Sequence, residues 1–69
     1  MTDDDLKRLL DSALDVELGL HRQGVAVTVS DGFATIRGSV GSHLTRSIVE
    51  EVALRLDGLK AVVNDLRVQ

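Results

Sequence analysis

Between Val25 and Val40, hydrophobic and polar residues alternate on both sides of a central Asp-Gly pair, and the rest of the chain is arranged around this stretch. Val25, Val27 and Val29 alternate with Ala26, Thr28 and Ser30, the period of a strand with one buried face. Asp31-Gly32 follows, one of the strongest two-residue signals for a type I′ turn, because both turn positions need positive φ. With those two residues as the turn, Ser30 faces Phe33, Val29 faces Ala34 and Val27 faces Ile36. The valines and Ile36 then share one face, and Ala26, Thr28, Phe33, Thr35 and Arg37 share the other. The pattern predicts a β-hairpin. Gly38 falls on its inward face, where a glycine admits the close approach of another element, and we expect a helix to cross the sheet there.

Before the hairpin the period changes to that of a helix. Thr2 reads as an N-cap, with Asp3, Asp4 and Asp5 in the first turn, where carboxylates suit the positive end of the helix dipole. Leu6, Leu9, Leu10, Ala13, Leu14 and Val16 or Glu17 recur at helical spacing, and Leu6, Leu9, Leu10, Ala13 and Val16 define an apolar stripe. Asp3 with Lys7 and Asp4 with Arg8 are i,i+4 pairs in the favourable order. The helix is expected to end at about Leu18, with Gly19 as a left-handed cap and Leu20 to Gly24 as a short polar loop.

After the hairpin, Gly41-Ser42 breaks the strand and Ser42 reads as a second N-cap. Leu44, Ile48, Val49, Val52 and Leu56 mark a second amphipathic helix, with Arg46–Glu50 and Glu51–Arg55 as pairs on its wet side. Leu54 lies opposite the stripe and is expected to be exposed. Asp57-Gly58 ends this helix with Gly58 at C′, and Leu59 supplies the accompanying apolar contact. Lys60 to Val68 reads as a strand. Val62, Leu66 and Val68 have one parity, and Ala61, Val63, Asp65 and Arg67 the other. Asn64 has the inward parity, which marks either a bulge or a side chain bonded to a strand-end backbone group.

The order α-β-β-α-β, with two helices able to cover only one face of three strands, predicts an α+β two-layer sandwich. If the last strand lies beside the second, the β-α-β link is a right-handed parallel crossover and the sheet is mixed; beside the first strand, it would make the sheet antiparallel throughout. The mixed arrangement is preferred. Sixty-nine residues make a single domain spanning 1–69.

Composition narrows the function mainly by exclusion. A net charge of −3 and one aromatic residue, Phe33, argue against a nucleic-acid partner, which calls for a basic footprint or stacking platforms. No apolar run has the length of a transmembrane helix. The N-terminus, MTDDDLKRLL, is acidic where a signal peptide is basic. The location is therefore left open: cytoplasmic if the chain is complete as given, otherwise a module of a longer exported chain. There is no cysteine, so redox compartment is not indicated. Most of the eleven acidic residues have cap, turn or ion-pair explanations. His21 in a loop and His43 at a helix start do not make a clustered metal site with a supporting shell. No catalytic group, cofactor site or metal site is expected. Gly32, Gly38 and Gly58 are not spaced as a phosphate-binding loop.

The hairpin run Val25, Val27, Val29, Asp31, Gly32, Ala34, Thr35, Ile36, Gly38 and Val40 resembles that of the BON domain, the bacterial osmotically inducible and nodulation module. The C-terminal run Asp57, Gly58, Leu59, Val62, Asn64, Leu66 and Val68 is similarly characteristic, and the likeness covers nearly the whole chain. The resemblance implies a non-catalytic module of the periplasm or cell envelope that binds phospholipid surfaces or other proteins. On that expectation the outward sheet face is the candidate site. Phe33, Arg37, Val63 and Arg67, with Thr28 and Thr35, offer apolar and basic groups on a face the helices do not cover. The alternative is protein–protein contact or weak homo-oligomerisation through the same face or a strand edge.

Overall fold

The computed structural model describes residues 2–69, and at Leu20 and His21 the backbone alone. Helix α1 (Asp3–Leu18) leads through a 3-10 turn (Gly19–Gly24) into the hairpin strands β1 (Val25–Ser30) and β2 (Phe33–Val40), and helix α2 (His43–Leu54) then returns the chain to strand β3 (Ala61–Val68). The sheet order is β1-β2-β3, with β1 antiparallel to β2 and β3 parallel to β2. The fold is an α+β sandwich with a mixed sheet, as the order of elements predicts.

The hairpin has the expected register, Ser30↔Phe33, Val29↔Ala34 and Val27↔Ile36. Asp31 and Gly32 have φ of 52° and 81°, the positive values that a type I′ turn requires. Asp3 is not paired with Lys7. Its two carboxylate oxygens accept the backbone N–H groups of Asp31 and Gly32, at 2.8 and 3.1 Å, and tie the start of α1 to the turn. Lys7 instead pairs forward with Asp11 at 2.8 Å.

The buried stripe of α1 is Leu6, Leu10, Leu14 and Leu18, narrower than the predicted one. Leu9 is exposed and Val16 is 84% exposed. A row of i,i+4 side chains forms one inclined ridge, and a helix resting on a small sheet buries little more than that ridge. Val16 is turned about 120° around the helix from Leu10. In α2 the same economy buries Val49, Val52 and Ala53, half-buries Ile48 and leaves Leu44 71% exposed. Leu54 is exposed, as its position predicts. Ser42 caps α2 by accepting the Thr45 N–H at 3.1 Å.

Three local expectations are corrected, and of the two alternatives at Asn64 the side chain bonded to backbone groups is the one found. The segment before β1 is a 3-10 turn rather than an irregular loop. Arg22 holds it by donating from Nη1 to the Val25 carbonyl and from Nη2 to Asp11 Oδ1, the latter at 2.6 Å. At Gly38 the atoms nearest a missing side chain belong to Gly24 and Val25, not to α1 or α2. A Cβ there would collide with the Gly24 carbonyl oxygen and press on Val25 Cα, and φ is 135°. The close approach is made by the chain entering β1. Helix α2 ends at Leu54, so Gly58, with φ of 99°, serves the turn into β3 and is not the C′ residue. Asn64 marks no bulge, since β3 pairs residue for residue from Phe33↔Ala61 to Val40↔Val68. Its Nδ2 donates to the Arg46 carbonyl of α2 at 3.2 Å, and its Oδ1 accepts the Leu66 N–H at 3.3 Å.

Candidate functional site

Both helices lie on the inward face of the sheet, where Val25, Val27, Ala34, Ile36, Val40 and Leu66 are buried with them. The opposite face is built by the other parity of each strand, and strand alternation leaves it without a covering layer. The register fixes its rows. Ser30, Phe33 and Ala61 lie side by side at the hairpin end. Thr28, Thr35 and Val63 form the next row, Ala26, Arg37 and Asp65 the third, and Ser39 stands beside Arg67 in the last.

All six sequence-derived candidates therefore fall on one face, though not in one cluster. Phe33, at 48% exposure, and Val63, at 51%, sit in adjacent rows, with Thr28 and Thr35 in the row of Val63. With the neighbouring Thr28, Thr35 and Ala61, they form the less charged end of this face. Arg37 follows one row on. Arg67 lies at the far end, about 20 Å along the strands from the Phe33 row at the strand rise per residue. The face thus grades from apolar at the hairpin turn to charged at the end of β3.

Asp65 belongs to this face and changes its electrostatics. It stands opposite Arg37 in the ladder, with a carboxylate oxygen 3.8 Å from Arg37 Nε and both side chains well exposed. A pair so open to water contributes little to stability, but it offsets one of the two arginine charges on the face. The signal for it was the shared parity of Val63, Asp65 and Arg67. Among the described residues no group of three or more histidine or acidic side chains gathers as a metal site would, and the side chain of His21 lies outside the described residues. No described helix is long and apolar enough to cross a membrane.

A search of curated proteins found no match to this chain. A model of the BON domain matches residues 2–69, so the two motif runs and the helices between and before them are covered together. BON domains are binding modules, for phospholipid or for protein, and not a catalytic type of domain. Over essentially its whole length, this chain belongs to the BON domain family.

Proposed function

We propose that this domain associates with phospholipid surfaces through the outward face of its sheet. The observation that carries the reading is the uncovered pair Phe33 and Val63, half exposed in adjacent rows beside threonines, with Arg37 and Arg67 following on the same face. Apolar groups that enter the boundary between headgroup and acyl chain, next to cations that meet lipid phosphates, are the usual means of peripheral attachment. The chain as a whole carries −3, so the attraction is local and oriented. The molecule approaches with this face and is repelled by others.

The test is an amide NMR titration of the labelled domain with bicelles containing phosphatidylglycerol, repeated with neutral bicelles. Shifts centred on Phe33, Arg37, Val63 and Arg67 with the anionic lipid are the expected result. The double variant Arg37→Glu/Arg67→Glu is expected to lose association with anionic vesicles, and unchanged association would remove this face as the lipid site.

A second reading, docking of a protein partner on the same face, is favoured by the Arg37–Asp65 pair, because a surface of balanced charge suits a complementary protein better than a uniformly anionic membrane. Silence towards both kinds of bicelle would select it.

A further inference from the structure

Strand β3 is an edge strand of eight residues. The Gln69 N–H donates to the Val40 carbonyl at 2.9 Å, which sets the phase of the ladder. Odd-numbered residues of β3 turn their backbone groups towards β2, while Val62, Asn64, Leu66 and Val68 turn theirs to the open side. The Leu66 N–H has no strand to bond and is accepted by the Asn64 side chain, a local bond standing where a neighbouring strand would be. The other edge of the sheet differs. At β1, the Val25 N–H donates to the Arg22 carbonyl and the Val25 carbonyl accepts from Arg22 Nη1, and Val25 and Val27 are each 5% exposed. The Val25–Val27 part of that edge is already covered.

Charge and helix placement both single out one way of filling the β3 edge. We propose that two copies of this chain pair β3 with β3 antiparallel, about a two-fold axis at Leu66. In that register Asn64 stands opposite Val68 of the second copy, and Asp65 opposite Arg67 of the second copy, twice over. Among the described residues Asp65 has only its long, exposed contact with Arg37, and Arg67 makes no ion pair. Moving the axis by one residue, to Asp65 or to Arg67, sets like charges directly opposite each other, which destabilises strand pairing. The helices also permit this register. Asn64 reaches the first turn of α2 at Arg46, and α2 runs back from there towards the start of β3. The two α2 helices therefore begin near the axis and point away from each other. The product is a six-stranded sheet that keeps all its helices on one side and doubles the outward face. Because Leu66 must exchange its bond with Asn64 for one with its counterpart, the association is weak and concentration-dependent.

The experiment is sedimentation equilibrium of the domain, without lipid and at low salt, with charge-reversal variants at exposed positions that the core does not use. The wild-type chain is expected to show a monomer–dimer equilibrium. Asp65→Arg and Arg67→Asp are each expected to weaken it about tenfold, since each sets like charges opposite across the axis. The double variant Asp65→Arg/Arg67→Asp restores complementarity and is expected to regain the dimer. Retention of the native amide spectrum in each variant checks the fold. A chain monomeric up to about 1 mM, the weakest range of specific association, overturns the proposal. So do single reversals without effect, a double variant as weak as the singles, or species larger than a dimer. Because no lipid is present, failure here leaves the lipid reading to its own titration.

Discussion

Gly38 is the residue whose identity the fold can least exchange. It pairs with Val25 in the ladder, and the Gly24 carbonyl occupies the space where a side chain would stand. Its φ of 135° is itself one that L side chains rarely adopt. Strain and overpacking act together, so Gly38→Ala is expected to lower the unfolding free energy by about 2–4 kcal/mol. Gly41 is its control, because a Cβ there meets nothing within 4 Å, and Gly41→Ala is expected to leave stability nearly unchanged. Urea titrations of the two variants measure the difference, and equal midpoints would refute the account of Gly38. Asp3, Arg22 and Asn64 act at the same scale through polar bonds. Each fastens one element to another with groups whose partners are distant in sequence or belong to the backbone. None of the three was assigned that partner from the sequence, since a carboxylate at a helix start or an arginine in a turn has many possible acceptors and donors.

At the scale of the element, the helices are held by their ends and by one ridge. In α1 the capping box is complete. Thr2 Oγ1 accepts the Asp5 N–H, and Asp5 Oδ2 accepts the Thr2 N–H, both at 3.2 Å. The hydrogen bond from the Thr2 backbone, helped by the Thr2 side chain, holds the Asp5 carboxyl below its ordinary pKa. A carboxyl whose pKa is depressed by folding contributes stability at pH above its unfolded value of about 4, and that contribution is lost as the pH falls through the folded value. Asp5→Asn is therefore expected to flatten the acid limb of the stability curve below about pH 4, as read from thermal midpoints. An acid limb identical to wild type would exclude this role. The narrow ridge makes a second prediction. Leu14 is fully buried and Val16 is 84% exposed, so Leu14→Ala is expected to cost about 2–5 kcal/mol, and Val16→Ala about 0.5 kcal/mol or less. Comparable losses would mean that the stripe is the broader one drawn from periodicity alone.

For the whole molecule, the decisive feature is that two helices cover one face of a three-stranded sheet and leave the other to solvent. On the proposed lipid reading, stability and binding are divided between opposite faces. Phe33→Ser and the double reversal at Arg37 and Arg67 alter a surface that no core residue depends on. They are expected to change vesicle association while moving the urea midpoint little, surface substitutions being worth about 0.5 kcal/mol or less. Association with anionic vesicles is also expected to weaken as salt is added, because a local positive patch on a chain of net charge −3 acts within a Debye length. A coupled loss of stability and binding in these variants would contradict the division.

The sequence by itself determined the order of helices and strands, the hairpin register and the membership of each strand face, and it favoured the mixed sheet over the antiparallel one. These follow from local rules: period two against period three to four, a turn that tolerates positive φ, and caps that accept helix N–H groups. Parity alone placed Phe33, Arg37, Val63 and Arg67 together on the open side. Tertiary structure decided the rest. It chose Leu14 and Leu18 over Leu9 and Val16 as the buried ridge, because the contact line of a helix depends on how it lies across the sheet. It set Gly38 against Gly24, turned Asn64 towards α2, and spread the candidate residues along a gradient with Asp65 among them. The physical reason is common to all of these. Periodicity records which side of an element is apolar, but contacts between elements depend on relative angle and offset, which no single element encodes.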